Sequence, residues 1–219
     1  METEIRFFYS FNSEKKIIDK LKSISELKYD DKYYEETIQY NHPMKKYDFY
    51  DKDVDGRFRI RKTISDKKDK CMITWKKRNS KNELIHQEEE IEVSIKSEEY
   101  SNLIYLIENI LHMKKIESYE RYRSVFYNSD VEVVVDKYPF GICLEIENKS
   151  HDKNPVSVVK KWANKIGLDI NNAYKLSWDD KYYELCKMQN KNVESIVTFD
   201  KDMPNIMEEY NIWDCKIDV

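Results

Sequence analysis

The chain has 219 residues, of which 37% are charged and 40% hydrophobic, and its formal net charge is only −4. Because acids and bases nearly cancel, the composition indicates no general attraction to nucleic acid or to a membrane surface. Aromatic residues make up 13% of the chain and supply the apolar bulk that disordered chains lack. This length favours one folded domain.

The predicted elements alternate between groups of strands and single helices. Alternating apolar and polar residues predict strands at 2–11, 32–64 (two or three strands), 71–77, 87–95, 119–127, 131–136 and 142–147. Apolar residues at helical spacing predict helices after Ser13, at 97–111, at 154–166 and at about 178–187. Asp55-Gly56 predicts a turn over 52–56. Because short turns join consecutive strands, we expect antiparallel pairing in an α+β fold.

Cysteine usage and hydropathy bear on the location of the protein. Cys71, Cys143, Cys186 and Cys215 are scattered without C-x-x-C spacing, so neither a zinc site nor a disulfide framework is indicated. The sequence opens on a charged strand, and no stretch approaches the ~20 apolar residues that a membrane helix needs. We therefore predict a cytoplasmic protein with reduced thiols and no membrane partner.

Charged residues recur at every second position within several predicted strands. The sets are Glu2/Glu4/Arg6, Arg57/Arg59/Arg61, Glu88/Glu90/Glu92, Arg121/Arg123 and Glu145/Glu147. Because successive strand side chains point to opposite faces, each set places its charges on one face and its apolar residues on the other. An open sheet would present the charged face to solvent. A closed barrel would turn it into a polar tunnel in which acids and bases neutralise each other, and the number of interleaved sets favours this second interpretation.

The two signs of charge suit two parts of phosphate chemistry. Glu2 and Glu4 place two carboxylates roughly 7 Å apart on one strand face, and hard divalent cations such as Mg²⁺ take such oxygen ligands. Arginine guanidinium groups match phosphate oxygens bidentately. Only three glycines occur, which argues against a glycine-rich phosphate loop. The tunnel interpretation therefore predicts an enzyme that binds phosphates through its side chains.

Other candidate residues carry less information. His42, His86, His112 and His151 have no partners at catalytic or metal-ligand spacing, which indicates surface or packing residues. Trp75 and Trp178 could stack on an organic substrate near a tunnel mouth, but large aromatic residues in a sheet and in a helix are more typical of a core.

The order of these motifs resembles the CYTH superfamily, also called triphosphate tunnel metalloenzymes. This group contains class IV adenylate cyclases, thiamine triphosphatases and inorganic triphosphatases. The similar segments are 2–6 for Glu-x-Glu-x-Lys, 58–61 for Leu-Arg-Ile-Arg, 74–76 for Thr-x-Lys, 90–93 for Glu-x-Glu, 121–126 for Lys-x-Arg-x-x-Tyr, 131–136 for Val-Glu-Val-x-x-Asp and 144–147 for the Glu-Ile-Glu run. The resemblance covers residues 2–187.

The resemblance implies an eight-stranded antiparallel β-barrel with helices packed outside, over residues 1–189, and a C-terminal extension of unknown role over 190–219. It implies Mg²⁺ or Mn²⁺ as cofactor, held by Glu2, Glu4, Asp136, Glu145 and Glu147. It implies that the triphosphate is bound by Arg6, Arg59, Arg61, Lys76, Arg121 and Arg123. As catalytic residues we name Lys76 together with Glu90 or Glu92, one of which would orient the attacking water.

Two positions depart from the family pattern. Arg6 replaces the signature lysine, and Arg121 stands where a lysine is common. Both changes keep the charge, but arginine stays protonated whereas lysine can shift its pKa. The departure at Arg6 therefore bears on rate or reaction type.

The favoured hypothesis is metal-dependent hydrolysis of a linear triphosphate (inorganic, nucleoside or thiamine triphosphate) with release of phosphate. One alternative is a class IV adenylate cyclase that converts ATP to cyclic AMP and pyrophosphate. Another is a non-catalytic module that binds a triphosphate or nucleotide. The expected partner is a small-molecule triphosphate, since the overall charge disfavours nucleic acid. Because members of the resembled superfamily include dimers, a homodimer is one of the alternatives for the oligomeric state.

Overall fold

A computed structural model describes residues 2–51, 54–65, 69–79, 83–151 and 154–207. The strands are β1 (Glu2–Tyr9), β2 (Lys28–Asn41), β3 (Gly56–Ile64), β4 (Lys70–Arg78), β5 (His86–Ile95), β6 (Lys114–Tyr127), β7 (Val131–Tyr138), β8 (Gly141–Asn148) and β9 (Ile196–Val197). The helices are α1 (Glu14–Lys22), α2 (Tyr100–Tyr105), α3 (Pro155–Ile166) and α4 (Trp178–Met188).

The first eight strands close into a barrel. Their order is β2-β3-β4-β5-β1-β8-β7-β6, and β6 pairs back onto β2. Every neighbouring pair in this ring is antiparallel. The closing pair runs from Lys28 opposite Tyr127 to Asn41 opposite Lys114. The predicted eight-stranded antiparallel barrel is confirmed.

The apolar outer face of the barrel is covered by helices over most of its circumference. α1 and α3 pack on β1, β7 and β8, where Leu21 and Trp162 join Phe7 and Leu144 in one buried cluster. α2 and the turn that follows it pack on β2, β3 and β4, where Ile107 of the turn is buried in one cluster with Ile60. Burial of this outer face against helices leaves the opposite, charged face inside.

The outer face of β5 has less cover. Ile91 and Val93 point away from the charged side as predicted, but they are 55% and 50% exposed. Burial therefore does not hold these two side chains in place, and the strand keeps its register through its pairing with β4.

Capping residues set the ends of the two helices that follow the barrel. Asn154 accepts a hydrogen bond from the Ser157 backbone N–H, Pro155 is the first helical residue, and α3 ends at Gly167, whose φ of 88° suits a glycine. These are the ends that the sequence predicts. Ser177 forms a capping box with Asp180 at the start of α4.

Other boundaries differ from the predictions. The two or three strands predicted over 32–64 are two, β2 and β3, and the first of them begins earlier, at Lys28. Of the predicted turn at 52–56, residues 52 and 53 lie outside the described residues, and Asp55 has a positive φ of 48°. The helix predicted at 97–111 is α-helical only over Tyr100–Tyr105 and continues as a π-helical turn over Leu106–Ile110. The described cysteines Cys71, Cys143 and Cys186 are buried free thiols. Within the described chain, no helix is long and apolar enough to cross a membrane.

Part of the C-terminal extension packs against the barrel. β9 pairs in parallel with β6 at Ser118 and Tyr119. Val197 and Met203 are 1% and 4% exposed, in a cluster with Trp178 at the start of α4. Residues 190–207 therefore cover the barrel wall next to α4.

This packing predicts that Met203→Ala lowers the free energy of unfolding by roughly 2–4 kcal/mol, because it leaves a cavity in a buried cluster. Met207→Ala is the matched control, since Met207 is 70% exposed. Urea denaturation of the two variants measures the difference. Equal effects would show that the segment contributes no core packing.

Candidate active site

The closed barrel surrounds a cavity of about 380 Å³ with a strongly charged wall. Most of the predicted site residues border it, as do Arg57, Glu88 and Glu132. The predicted residues on its wall are Glu2, Arg6, Arg59, Arg61, Lys76, Glu90, Glu92, Arg121, Arg123, Glu145 and Glu147. Glu4 and Asp136 are fully buried behind this wall.

Three carboxylates on neighbouring strands converge. Glu2, Glu90 and Glu147 each offer an oxygen within 4.8 Å of the other two. β1 lies between β5 and β8, so inward-facing acids on these strands meet. Three such oxygens suit a hard divalent cation, and the residues present therefore fit the Mg²⁺ or Mn²⁺ that the sequence predicts.

The other predicted metal ligands are held by arginines. The Arg6 guanidinium contacts Glu4, and its Nε lies 3.4 Å from Glu145 Oε2. Arg121 and Arg123 donate hydrogen bonds to Asp136 at 2.8 Å and 2.7 Å. The structure thus groups Glu90 with Glu2 and Glu147 as candidate ligands, whose ion-pair partners are lysines, and it places Glu4, Asp136 and Glu145 in ion pairs with arginines.

Lys76 lies at the centre of the acidic wall. We give this name to the carboxylates of β5, β1 and β8 that border the cavity, namely Glu88, Glu90, Glu92, Glu2, Glu145 and Glu147. Its Nζ contacts Glu2 and lies 3.4 Å from Glu90, 3.7 Å from Glu88 and 3.9 Å from Glu4. Burial opposes the charge, but these carboxylates outweigh it and raise the pKa of Lys76. Lys76 therefore stays protonated, and it can act only as a fixed positive charge.

Glu92 lies on the same face of β5 as Glu90, nearer to solvent. Thr74 on β4 is its register partner and donates a hydrogen bond of 3.4 Å to Glu92 Oε1. Glu92 is not among the three convergent carboxylates. Its carboxylate is therefore free of the candidate metal centre while still bordering the cavity.

The basic wall consists of the arginines of β3 and β6 that border the cavity, Arg59, Arg61, Arg121 and Arg123. Glu35 holds most of them in position, and it was not predicted from the sequence. It lies opposite Arg121 in the β2–β6 pair, and Arg121 Nε donates a hydrogen bond of 2.7 Å to it. Glu35 Oε2 lies 3.7 Å from Arg61 and 3.9 Å from Arg123. Although burial opposes it, the charge of Arg121 and then of Arg61 holds the pKa of Glu35 far below its usual range. One carboxylate thus fixes the positions of three predicted phosphate ligands.

Arg59 differs from the other arginines of the wall. It is 7% exposed, and among the described residues no carboxylate lies within ion-pair distance of it and no hydrogen bond reaches it. Its charge acts on Glu90 of β5, which lies two strands away in the ring. A buried cation without a protein partner is costly, so Arg59 is the position where a bound anion would compensate most.

His86 is the second residue that sequence analysis missed. It is buried on the inner face of β5, within 4.8 Å of Glu4 and Glu88. Its Nε2 lies 3.2 Å from the carbonyl oxygen of Tyr174. Burial, and then the charge of Arg6, lower the pKa of His86 to about 4, so the imidazole is neutral at pH 7. The available signal was its position two residues before Glu88, on the same strand face.

α4 seals one end of the tunnel. Arg57 donates a hydrogen bond of 3.0 Å to Ser177 Oγ and lies 3.7 Å from Asp179. The Tyr50 hydroxyl donates to Asp179 at 2.5 Å. Trp178 is buried with its ring centroid 4.2 Å from that of Tyr119. The guanidinium of Arg57 is therefore bound to residues of the protein at this closed end. Trp178 is a core residue that also borders the cavity.

The class of protein is that of closed antiparallel barrels whose interior carries an acidic wall opposite a basic wall. The chain belongs to the CYTH domain family, whose sequence profile matches residues 1–174. Members of this family are in general metal-dependent enzymes, either triphosphatases or cyclases.

Solved structures agree in fold. A Pyrococcus horikoshii OT3 protein is 20% identical, with a TM-score of 0.63 over 84% of this chain and 99% of that chain. A putative adenylyl cyclase from Hippeastrum, described as revealing a dominant triphosphatase activity, is 16% identical, with a TM-score of 0.57 over 88% of this chain and 98% of its own. A putative adenylate cyclase from Vibrio parahaemolyticus is 14% identical, with a TM-score of 0.58 over 81% and 95%. No curated protein matches the chain significantly.

The acidic wall predicts a pH dependence of stability in the presence of a chelator. Burial, and then Glu2, raise the pKa of Glu147 from 4.5 to about 8. Between these pH values the folded protein holds a proton that the unfolded chain releases, so stability falls as the pH rises through this window. The wild type loses this stability and Glu147→Gln does not. The free energy of unfolding of Glu147→Gln, relative to that of the wild type, should therefore be roughly 1–3 kcal/mol higher at pH 8.5 than at pH 5. Urea denaturation at the two pH values measures it.

The matched control is Glu89→Gln, an exposed acid on the outer face of β5. It should leave the pH dependence unchanged. If Glu147→Gln behaved like this control, the carboxylate would be solvated and not confined in the tunnel.

Proposed function

We propose that the protein is a divalent-metal-dependent hydrolase that removes the terminal phosphate from a linear triphosphate. The observation that carries this proposal is the unpaired, buried guanidinium of Arg59, which faces the acids Glu2, Glu90 and Glu147 within one enclosed cavity. A cation without a partner and a cluster of acids are both stabilised by a ligand of the opposite charge. A metal-bound polyphosphate supplies both charges at once.

The basic wall would bind the phosphate chain. Arg59 and Arg61 on β3 and Arg121 and Arg123 on β6 lie on the two sides of β2, and all four border the cavity. Their guanidinium groups can donate paired hydrogen bonds to phosphate oxygens. Arg6 would take part from the acidic side, as a cation that Glu4 and Glu145 hold in place.

The acidic wall would hold the cation through Glu2, Glu90 and Glu147. When bound, Mg²⁺ or Mn²⁺ would neutralise the charge that develops on the transferring phosphoryl group. With Glu90 assigned as a ligand, Glu92 takes the remaining role. Its carboxylate would accept a hydrogen bond from the attacking water, while the ammonium of Lys76 stabilises the negative charge of the reacting phosphate.

The composition of the cavity wall favours inorganic triphosphate over nucleotides. The bordering residues are mostly charged, and the aromatic ones are Tyr33, Tyr138 and Trp178. Organic ligand sites are predominantly apolar and aromatic, and Trp178 is already packed at the sealed end. ATP cyclisation needs a site for the nucleoside in addition to the tunnel, so we rank the cyclase second and the non-catalytic module third.

A substrate panel tests the proposal. The purified protein is incubated with Mg²⁺ or Mn²⁺ and with tripolyphosphate, ATP or thiamine triphosphate. Inorganic phosphate as the product indicates hydrolysis, whereas cyclic AMP with pyrophosphate indicates cyclisation. Binding of a triphosphate without turnover would contradict the proposal and support the binding module.

Variants connect turnover to the tunnel. Glu90→Gln should reduce turnover at least 100-fold, because one of three carboxylates in the cation cluster is lost, an effect of about 2.7 kcal/mol or more on the barrier. Glu89→Gln removes the adjacent charge on the opposite face of the same strand and should leave the rate unchanged. Equal rates for the two variants would place the metal elsewhere.

Arg59 yields a further prediction. Arg59→Gln should raise the Kd for tripolyphosphate about 10- to 100-fold, since a hydrogen bond to a charged group contributes roughly 1.5–3 kcal/mol. Lys62→Gln is the control, because Lys62 lies on the outer face of β3, over the ring of Tyr100. Titration calorimetry with chelator present measures both. Weaker binding in the control alone would point to a surface site.

A further inference from the structure

Gln39 on β2 is a buried amide without partners. It is 1% exposed, and neither Nε2 nor Oε1 has a hydrogen-bond partner within the described parts of the chain. Burying an amide in this way costs free energy, because the hydrogen bonds that it makes to water in the unfolded chain are not replaced. Native proteins keep few such groups, and each one calls for a reason such as a ligand or an ordered water.

Two neighbours of Gln39 also have polar atoms without hydrogen-bond partners among the described residues. Its register partners are Arg59 on β3 and Glu117 on β6. Directly opposed residues have their side chains on the same face, so Gln39 lies beside the unpaired guanidinium. Glu117 Oε1 accepts a hydrogen bond from the Tyr183 hydroxyl, whereas Glu117 Oε2 is buried without a partner. The group thus offers unmet donors and unmet acceptors together.

This group lies next to the level of Arg57 at the sealed end. Of its members Arg59 borders the cavity, and Gln39 and Glu117 are buried beside it. The charge of Glu117 acts on Asp179 and Arg57, which close the tunnel together with Ser177. A chain that reaches Arg59 from the open mouth therefore ends there. An end esterified with a nucleoside would meet the seal.

A terminal phosphoryl group has the matching chemistry. Its oxygens accept hydrogen bonds from the Arg59 guanidinium and the Gln39 Nε2 group. Its second ionisation lies near pH 6, so near neutral pH it can also carry a hydroxyl that donates to Gln39 Oε1 or Glu117 Oε2. An internal phosphoryl group has no such hydroxyl.

We propose that Gln39 and Arg59 form an end subsite that holds the free terminal phosphoryl group of a linear polyphosphate. The substrate then enters with its unesterified end first, and Gln39 is the residue that distinguishes an end from an internal phosphate. This inference rests on the proposed function in taking a polyphosphate as the ligand, but it does not depend on turnover.

The test uses Gln39→Leu, which removes both polar atoms at similar volume. Binding is measured by titration calorimetry with chelator present, with linear tripolyphosphate and with cyclic trimetaphosphate, which has three phosphates and no free end. We expect the Kd for tripolyphosphate to rise about tenfold, as for one lost hydrogen bond to a charged ligand. The Kd for trimetaphosphate should stay within about twofold, and the melting temperature of the ligand-free variant should be equal to or above that of the wild type. Gln87→Leu, on the outer face of β5, is the matched control.

Several results would overturn the inference. Unchanged tripolyphosphate binding with a lower melting temperature would make Gln39 a structural residue, and an equal loss for both ligands would remove the recognition of an end. If Gln39→Leu does not fold, Gln39→Met supplies a second apolar side chain of similar length for the same comparison. Wild-type protein that binds neither ligand would overturn the proposed function and the subsite with it. Binding that depends on Gln39 but without hydrolysis would overturn only the hydrolase.

Discussion

The mutual neutralisation of acids and bases inside a closed barrel is the constraint on which the rest of this structure depends. An isolated charge in such an interior costs several kcal/mol or more, whereas a pair with good hydrogen bonds recovers most of that cost. Glu35 with Arg121, and Asp136 with Arg121 and Arg123, are pairs of this kind. The groups whose charge is not fully neutralised are the informative ones, because they are where an added ion lowers the free energy. On one wall this is the guanidinium of Arg59, which has no partner among the described residues. On the other wall these are Glu2, Glu90 and Glu147, three convergent carboxylates that have two cations, Lys76 and Lys149, within ion-pair distance.

The period of two along each strand explains how much of the site the sequence could predict. Once the charged face is assigned to the interior, residues such as Arg59, Lys76 and Glu145 must point inward, and all of them do. Which acid meets which base depends on how far each strand is shifted against its neighbours, and a single sequence does not contain that shift. Asp136 was therefore predicted as a metal ligand, whereas the structure places it between Arg121 and Arg123. Glu90 joins the cation cluster because β1 brings β5 and β8 together.

Residues that sequence analysis missed share one property: they are single polar residues outside the repeating charge pattern. Glu35 and Gln39 lie on β2, which contains no run of alternating charges. His86 lies two positions before such a run, the one that begins at Glu88. Their burial follows from closure of the barrel, which is a property of the whole sheet. β9 contains only two residues, too few for any period to be visible, although it anchors the extension through Val197. Local pattern thus predicted the elements, and the long-range pairing of β2 with β6 decided which polar residues became interior.

That same pairing has a consequence for how the chain folds. The hydrogen bond from Arg121 to Glu35 joins residues 86 positions apart, and three other barrel strands, β3 to β5, lie between β2 and β6 in sequence. Contacts of high sequence separation carry a large loop-closure entropy and slow the search for the native state. Arg121 and Arg123 join the basic wall only when β6 pairs with β2, so a chain that has made β1 to β5 still lacks two of the four arginines of that wall. Full affinity for a polyanion thus depends on a long-range contact that cannot form before β6 has been synthesised.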